Sequence, residues 1–120
     1  MRARWDRVPV RFHGDVAAGD LLLRDGRPAA VVDFGTCGIG DPACDLAGAW
    51  TLLDAAGREA FRDRLGADEG TWARGRGRAL RKTLSTCART VDQDDEAAAT
   101  ARRALEAIVE EHRTDRDGRR

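Results

Sequence analysis

Apolar and polar positions alternate only near the start of the chain. Val8, Val10 and Phe12 interleave with Pro9 and Arg11, a period of two that predicts a short strand, with Pro9 placing it at an edge or a strand start. Two short apolar runs follow, Leu21-Leu22-Leu23-Arg24 and Ala29-Ala30-Val31-Val32. Between them Asp25-Gly26-Arg27-Pro28 carries an Asp-Gly turn signal, so the runs are expected to pair as a β-hairpin. Gly35, Gly38 and Gly40 then punctuate a segment expected to be loop, neither strand nor helix.

From Asp41 the period becomes helical. Asp41 suits an N-cap and Pro42 the first helical position; Ala43, Leu46, Ala47, Trp50 and Leu53 share a face, and Gly57 is expected to end the helix. A short helix over 58–65 should stop at Gly66. A longer one over 68–89 carries Trp72, Ala79, Leu80, Thr83, Leu84 and Cys87 as its stripe. The last, over 94–112, aligns Ala98, Ala101, Leu105, Ile108, Val109 and His112. His112 reads as a packing residue favoured by the helix dipole. Residues 114–120 have no apolar anchor and are expected to be a disordered tail. Short strands bearing loops, followed by a mostly helical body, predict an α+β fold rather than a doubly wound sheet.

Composition narrows the function classes. A length of 120 residues fits one domain, long enough to build a core without metal or disulfide staples. Lys+Arg and Asp+Glu both number 21, a net charge of +0 that argues against a general nucleic-acid or anionic-membrane binder. Trp5, Trp50 and Trp72 accordingly read as core rather than as base-stacking residues. The 3 cysteines form no Cys-x-x-Cys pair, and with 2 histidines they make no credible zinc set, which suits a reducing cytosol. No apolar run is long enough to span a bilayer, and the first six residues lack a signal-peptide core, so a soluble cytoplasmic protein is expected.

The chemistry concentrates in Arg11-Phe12-His13-Gly14-Asp15-Val16-Ala17-Ala18-Gly19-Asp20 and, beyond the hairpin, Asp33-Phe34-Gly35. Asp15, Asp20 and Asp33 stand at strand ends or in glycine-bearing loops, where functional groups gather on a rigid scaffold. Pairing of the two hairpin strands folds Asp33 back towards Asp20. Converging carboxylates call for a cation, and hard oxygen donors suit Mg²⁺, with one carboxylate left as a possible base. The plain alternative is that these are turn and capping aspartates.

His-x-Asp, an oxygen-bearing side chain five residues later and Asp-Phe-Gly beyond a hairpin resemble the catalytic and metal loops of the protein-kinase fold. Gly40-Asp41-Pro42-Ala43-Cys44-Asp45-Leu46-Ala47 adds the Gly-Asp-Pro-x-x-Asp-Leu-Ala block of the aminoglycoside phosphotransferase family. The three blocks in order over residues 12–47 make the sequence similar to that family, and the later helices resemble its C-terminal lobe. The resemblance implies a kinase-like lobe over residues 1–113, with short hairpins carrying catalytic loops on a helical body.

It also implies roles and ligands. Asp15 would accept the proton of a substrate hydroxyl as it attacks the γ-phosphate of ATP. Asp33 and Asp20 would hold Mg²⁺, Asp20 standing where the family carries Asn. His13, Phe34, Gly35, Asp41 and Asp45 would support the loops, Asp45 through the backbone amides of the catalytic loop. The acceptor would be a small hydroxylated molecule such as an aminoglycoside-type antibiotic. The family's phosphate-binding glycine loop and strand lysine have no counterpart ahead of Val8, and Gly35-x-x-Gly38-x-Gly40 has the wrong order to replace the loop. A C-terminal lobe that is inactive by itself is therefore expected, with a separate N-terminal lobe or a second copy as partner. The alternative is a non-catalytic remnant or binding module. Arg78 and Arg81, where the family often carries Trp, are expected either to snorkel from a packing face or to point into solvent.

Overall fold

A computed structural model describes residues 5–119. Residues 1–4 of the segment read for a signal peptide, and Arg120 of the expected tail, lie outside the described residues. Strand β1 (Val10–Phe12) pairs antiparallel with β4 (Gly38–Gly40), Val10 opposite Gly40 and Phe12 opposite Gly38. The loop expected across these glycines is thus a strand. Its reason is steric: the Phe12 ring lies 2.7 Å from where a Cβ on Gly38 would stand, so only glycine lets the two chains close.

The hairpin between them is formed by β2 (Leu21–Arg24) and β3 (Arg27–Val31). Asp25 and Gly26 both take positive φ, 52° and 77°, the two-residue turn whose twist matches the strands. The second strand therefore begins at Arg27, earlier than the apolar run suggested. Asp20 ends a 3₁₀ turn (Ala18–Asp20), and its carbonyl accepts the Val32 N–H at 2.8 Å, which closes the base of the hairpin. The two strand pairs form two separate small sheets.

The helix expected from Asp41 to Gly57 is interrupted. A 3₁₀ turn (Pro42–Asp45) leads into α1 (Gly48–Leu52) and then α2 (Ala55–Leu65). Leu53 takes extended backbone, and Asp54 caps α2 by accepting the Gly57 N–H at 2.8 Å. Gly57 thus lies in the first turn of a new helix instead of ending the old one. Two long helices complete the body, α3 (Glu69–Arg89) capped by Asp68 and α4 (Glu96–Asp117) capped by Asp95.

The core lies among these helices. Leu46, Ala47, Ala49, Trp50, Trp72, Ala79 and Ile108 are buried together, with the Trp50 and Trp72 rings 4.9 Å apart. Helices α3 and α4 pack together, and their buried positions are mostly small: Ala79 on α3, and Ala98, Ala101 and Ala104 with Ile108 on α4. His112, expected to pack, is exposed, as are Leu84 and Val109 at the edges of their stripes. Arg78 and Arg81 also face solvent. The expected tail is corrected as well, because α4 stays helical through Asp117. Its anchor is charged rather than apolar: Arg76, largely buried, donates to Glu111 at 3.0 Å and to Asp115 at 2.7 Å.

Two glycines of α3 separate packing from propensity. A Cβ on Gly75 would stand 2.6 Å from the Cβ of buried Leu46, whereas one on Gly77 meets nothing within 4 Å. Gly75→Ala is expected to cost about 1–3 kcal/mol through overpacking. Gly77→Ala should stabilise by about 0.5–1 kcal/mol through helix propensity. Urea unfolding of the two variants measures both signs.

Candidate functional site

The segment after β1 turns sharply, and one carboxylate holds the turn. Asp45, in the 3₁₀ turn that leads to α1, accepts the His13 N–H at 3.1 Å and the Gly14 N–H at 2.8 Å, one on each oxygen. Gly14 sits at φ 95°, and a Cβ there would be 2.4 Å from the Thr36 carbonyl oxygen. Glycine is thus required twice over, by its backbone angle and by the close approach of the 33–37 loop. Thr36 Oγ1 donates to the His13 carbonyl at 3.1 Å from the same loop.

His13 is buried and uses both ring nitrogens. Nδ1 accepts the Asp15 N–H at 3.2 Å, and Nε2 lies 2.8 Å from the Val32 carbonyl. The arrangement fits the neutral tautomer with its proton on Nε2. One ring therefore joins the Asp15 loop to the residue just before Asp33. Phe34 covers it, with ring centroids 4.7 Å apart.

Asp15, so held at its backbone, presents a half-exposed carboxylate. Asp20 and Asp33 flank the base of the hairpin, since the Asp20 carbonyl bonds the Val32 amide. Asp33 has φ 59°, a left-handed conformation that aspartate tolerates and that re-aims the chain after Val32. Gly35 follows closely, and a Cβ there would touch Asp33 Oδ1 at 3.5 Å. No cluster of three or more ligating side chains occurs among the described residues. Carboxylate oxygens are the hard donors that suit Mg²⁺, which keeps waters and takes phosphate oxygens besides. Asp20 and Asp33 are donors of that chemical kind.

Asp41 does structural work beside the site. Its Oδ1 caps the 3₁₀ turn at the Ala43 N–H, and Arg74 of α3 donates to both of its oxygens, at 2.7 and 3.2 Å. Burial pushes its pKa up. The Arg74 hydrogen bonds, the Ala43 amide and the Arg74 charge outweigh that, and hold it below the ordinary carboxylate value. Arg74 in turn lies 5.5 Å from the Trp5 ring centroid.

Residues 1–80, two thirds of the chain, match the family described as Phosphotransferase enzyme family, APH. The chain belongs to that phosphotransferase family. The match takes in all four strands, the 3₁₀ turn carrying Asp45 and the first half of α3. A search of curated proteins finds no match to it. Membership gives this chain a phosphotransferase-like, kinase-like character and accords with its α+β architecture. Among the described residues no helix is long and apolar enough to cross a membrane.

The sequence reading brought out the acidic residues of the site but missed the cations. Arg74 and Lys82 both reach it from α3, Arg74 to Asp41 and Lys82 to Asp15. Their signal was present: positions 74, 78 and 82 recur every four residues and so run along one side of a helix. Thr36, in the loop after Asp-Phe-Gly, carried no such signal.

Asp45→Ala should release the amides of His13 and Gly14. The expected result is faster hydrogen exchange at both, and a loss of about 1–3 kcal/mol for donors left unpaired. Exchange followed by NMR, with urea unfolding beside it, measures the two effects. A second expectation concerns acid. Because folding lowers the Asp41 pKa, its contribution is complete above the unfolded value of about 3.9 and fades as pH falls through the folded value. Asp41→Asn should be less stable than wild type near neutrality, and the difference should narrow below about pH 4. Unfolding midpoints across that range measure it.

Proposed function

We propose that residues 1–113 act as the kinase-like C-terminal lobe of an ATP- and Mg²⁺-dependent phosphotransferase. Its acceptor is a hydroxyl on a small molecule such as an aminoglycoside-type antibiotic. The observation that carries this reading is the His13 bridge, which ties the Asp15 amide to the residue before Asp33 through the two nitrogens of one imidazole. Turn or capping aspartates need no such coupling. Family membership sets the reaction class.

In this reading Asp15 accepts the acceptor's hydroxyl proton, while Asp45 and His13 hold the peptide units that aim it. Asp33 and Asp20 would hold Mg²⁺, which when bound neutralises charge on the phosphates. Asp20 offers a charged oxygen where an amide is usual in the family, which strengthens the pull on a cation and adds repulsion towards the phosphates. Lobe-closing groups that cradle the phosphates come from outside these residues. Leu22, Leu23, Val31, Phe34 and Ile39, in or beside the strands, are exposed, which supports a separate lobe or a second copy covering them. The same exposed side chains favour a binding-module reading if no transfer occurs.

The reading predicts weak Mg²⁺ binding seen as amide shifts at Asp20 and Asp33 in a titration followed by NMR. With a matching N-terminal lobe supplied in trans or by fusion, Asp15→Asn should leave those shifts in place and reduce γ-phosphate transfer from ATP to a hydroxylated acceptor by about 10²–10⁴-fold. Metal-induced shifts confined to other acidic residues, or full transfer by Asp15→Asn, would sink it.

A further inference from the structure

Lys82 is the only lysine in the chain. It lies on α3, 67 residues from Asp15, and its Nζ forms an ion pair and hydrogen bond with Asp15 Oδ1. Both side chains are about half exposed, at 48% and 49%. Among the described residues no other side chain bonds the Asp15 carboxylate. The rest of the loop is held at its backbone, by Asp45 at the His13 and Gly14 amides and by His13 at the Asp15 amide. Those contacts place the Asp15 Cα and leave its side-chain torsions free.

The geometry points to Lys82 as the positioning residue for Asp15. This inference rests on the phosphotransferase reading above and extends it to a residue beyond the matched segment. With Oδ1 engaged by the ammonium, Oδ2 is the oxygen left free to meet an incoming hydroxyl. The step balances without consuming the lysine. The acceptor O–H proton passes to Oδ2 as the acceptor oxygen bonds to the γ-phosphorus. The bond from phosphorus to the bridging oxygen breaks, its electron pair leaving with the nucleoside diphosphate. Lys82 keeps its protons throughout.

The site needs such a tether because its other carboxylates cannot provide one. Asp20 and Asp33 carry the same charge as Asp15, and repel it. Placement also needs a partner from the helical body, because a loop carboxylate with free torsions spends little time in reach of its substrate. An exposed ion pair adds little to global stability, so its loss should leave the fold intact and act on geometry. Alanine at position 82 suits a helix interior.

The test uses isotope-labelled full-length chain and reads the side-chain scalar couplings of Asp15. Wild type should show one dominant rotamer, Lys82→Ala an averaged one, and Lys82→Arg a largely restored one, while the Asp20 couplings stay unchanged. In preparations that transfer phosphate, Lys82→Ala should lower kcat on the order of 10²-fold, the scale of a misplaced catalytic group, with KM for ATP within a few-fold of wild type. Lys82→Arg should recover much of the loss. Averaged Asp15 couplings in wild type, or unchanged couplings in Lys82→Ala, overturn the assignment, and so does full kcat in Lys82→Ala. If the couplings respond as expected but no preparation transfers phosphate, the positioning stands and the phosphotransferase reading fails.

Discussion

Two amide hydrogens on one carboxylate tie the His13–Asp15 loop to the helical body. Asp45 receives them from His13 and Gly14, and it can do so because it sits in a 3₁₀ turn whose own start is fixed by Asp41. Asp41 is fixed in turn by a two-pronged bond from Arg74 on α3. The order of dependence runs from helical core to cap, from cap to turn, and from turn to loop. Each link is a charged group meeting either an opposite charge or a backbone dipole, the stronger class of hydrogen bond. The apolar core formed by Trp50, Trp72 and Ile108 supplies the platform on which this chain of polar contacts is built.

The sequence and the fold agree where a local signal has one physical meaning. Asp-Gly between two apolar runs specified a tight hairpin, and the caps at Asp68 and Asp95 lie at or within a residue of the helix starts read from the pattern. Agreement fails where tertiary contact overrides local preference. Gly38 and Gly40 carry no strand signal, because their fitness for β4 comes from the Phe12 ring across the ladder. Gly57 reads as a stop, but Asp54 captures its amide and starts a helix there. The end of α4 shows no apolar anchor, and Arg76, distant in sequence, provides a charged one. In the site, spacing revealed the acidic residues because motifs lie close along the chain. Arg74 and Lys82 join it only after α3 has folded back, which short-range patterns do not record.

The two halves of the site stand on different foundations. Asp15 belongs to a loop pinned to the helical body through Asp45 and His13. Asp20 and Asp33 flank a two-stranded hairpin whose side chains are largely exposed, and such a hairpin is marginal by itself. Their relative placement is carried by the single bond from Val32 to Asp20 and by the His13 bridge to the Val32 carbonyl. Binding that orders the hairpin would therefore also order Asp20 and Asp33, while the Asp15 half is already in place. The coupling needs no movement of the core.

The tight turn at Asp25 and Gly26 bears on how the molecule tolerates change. It lies at the end of the hairpin opposite Asp20 and Asp33, and a Cβ on Gly26 meets nothing within 4 Å. Lengthening a loop costs little entropy, and exposed tips accept insertions where no buried contact is disturbed. Descendants of this chain can therefore diverge freely at the tip while the hairpin base stays fixed. An inserted tag there would report on the order of the hairpin from a distance without touching Asp20 or Asp33.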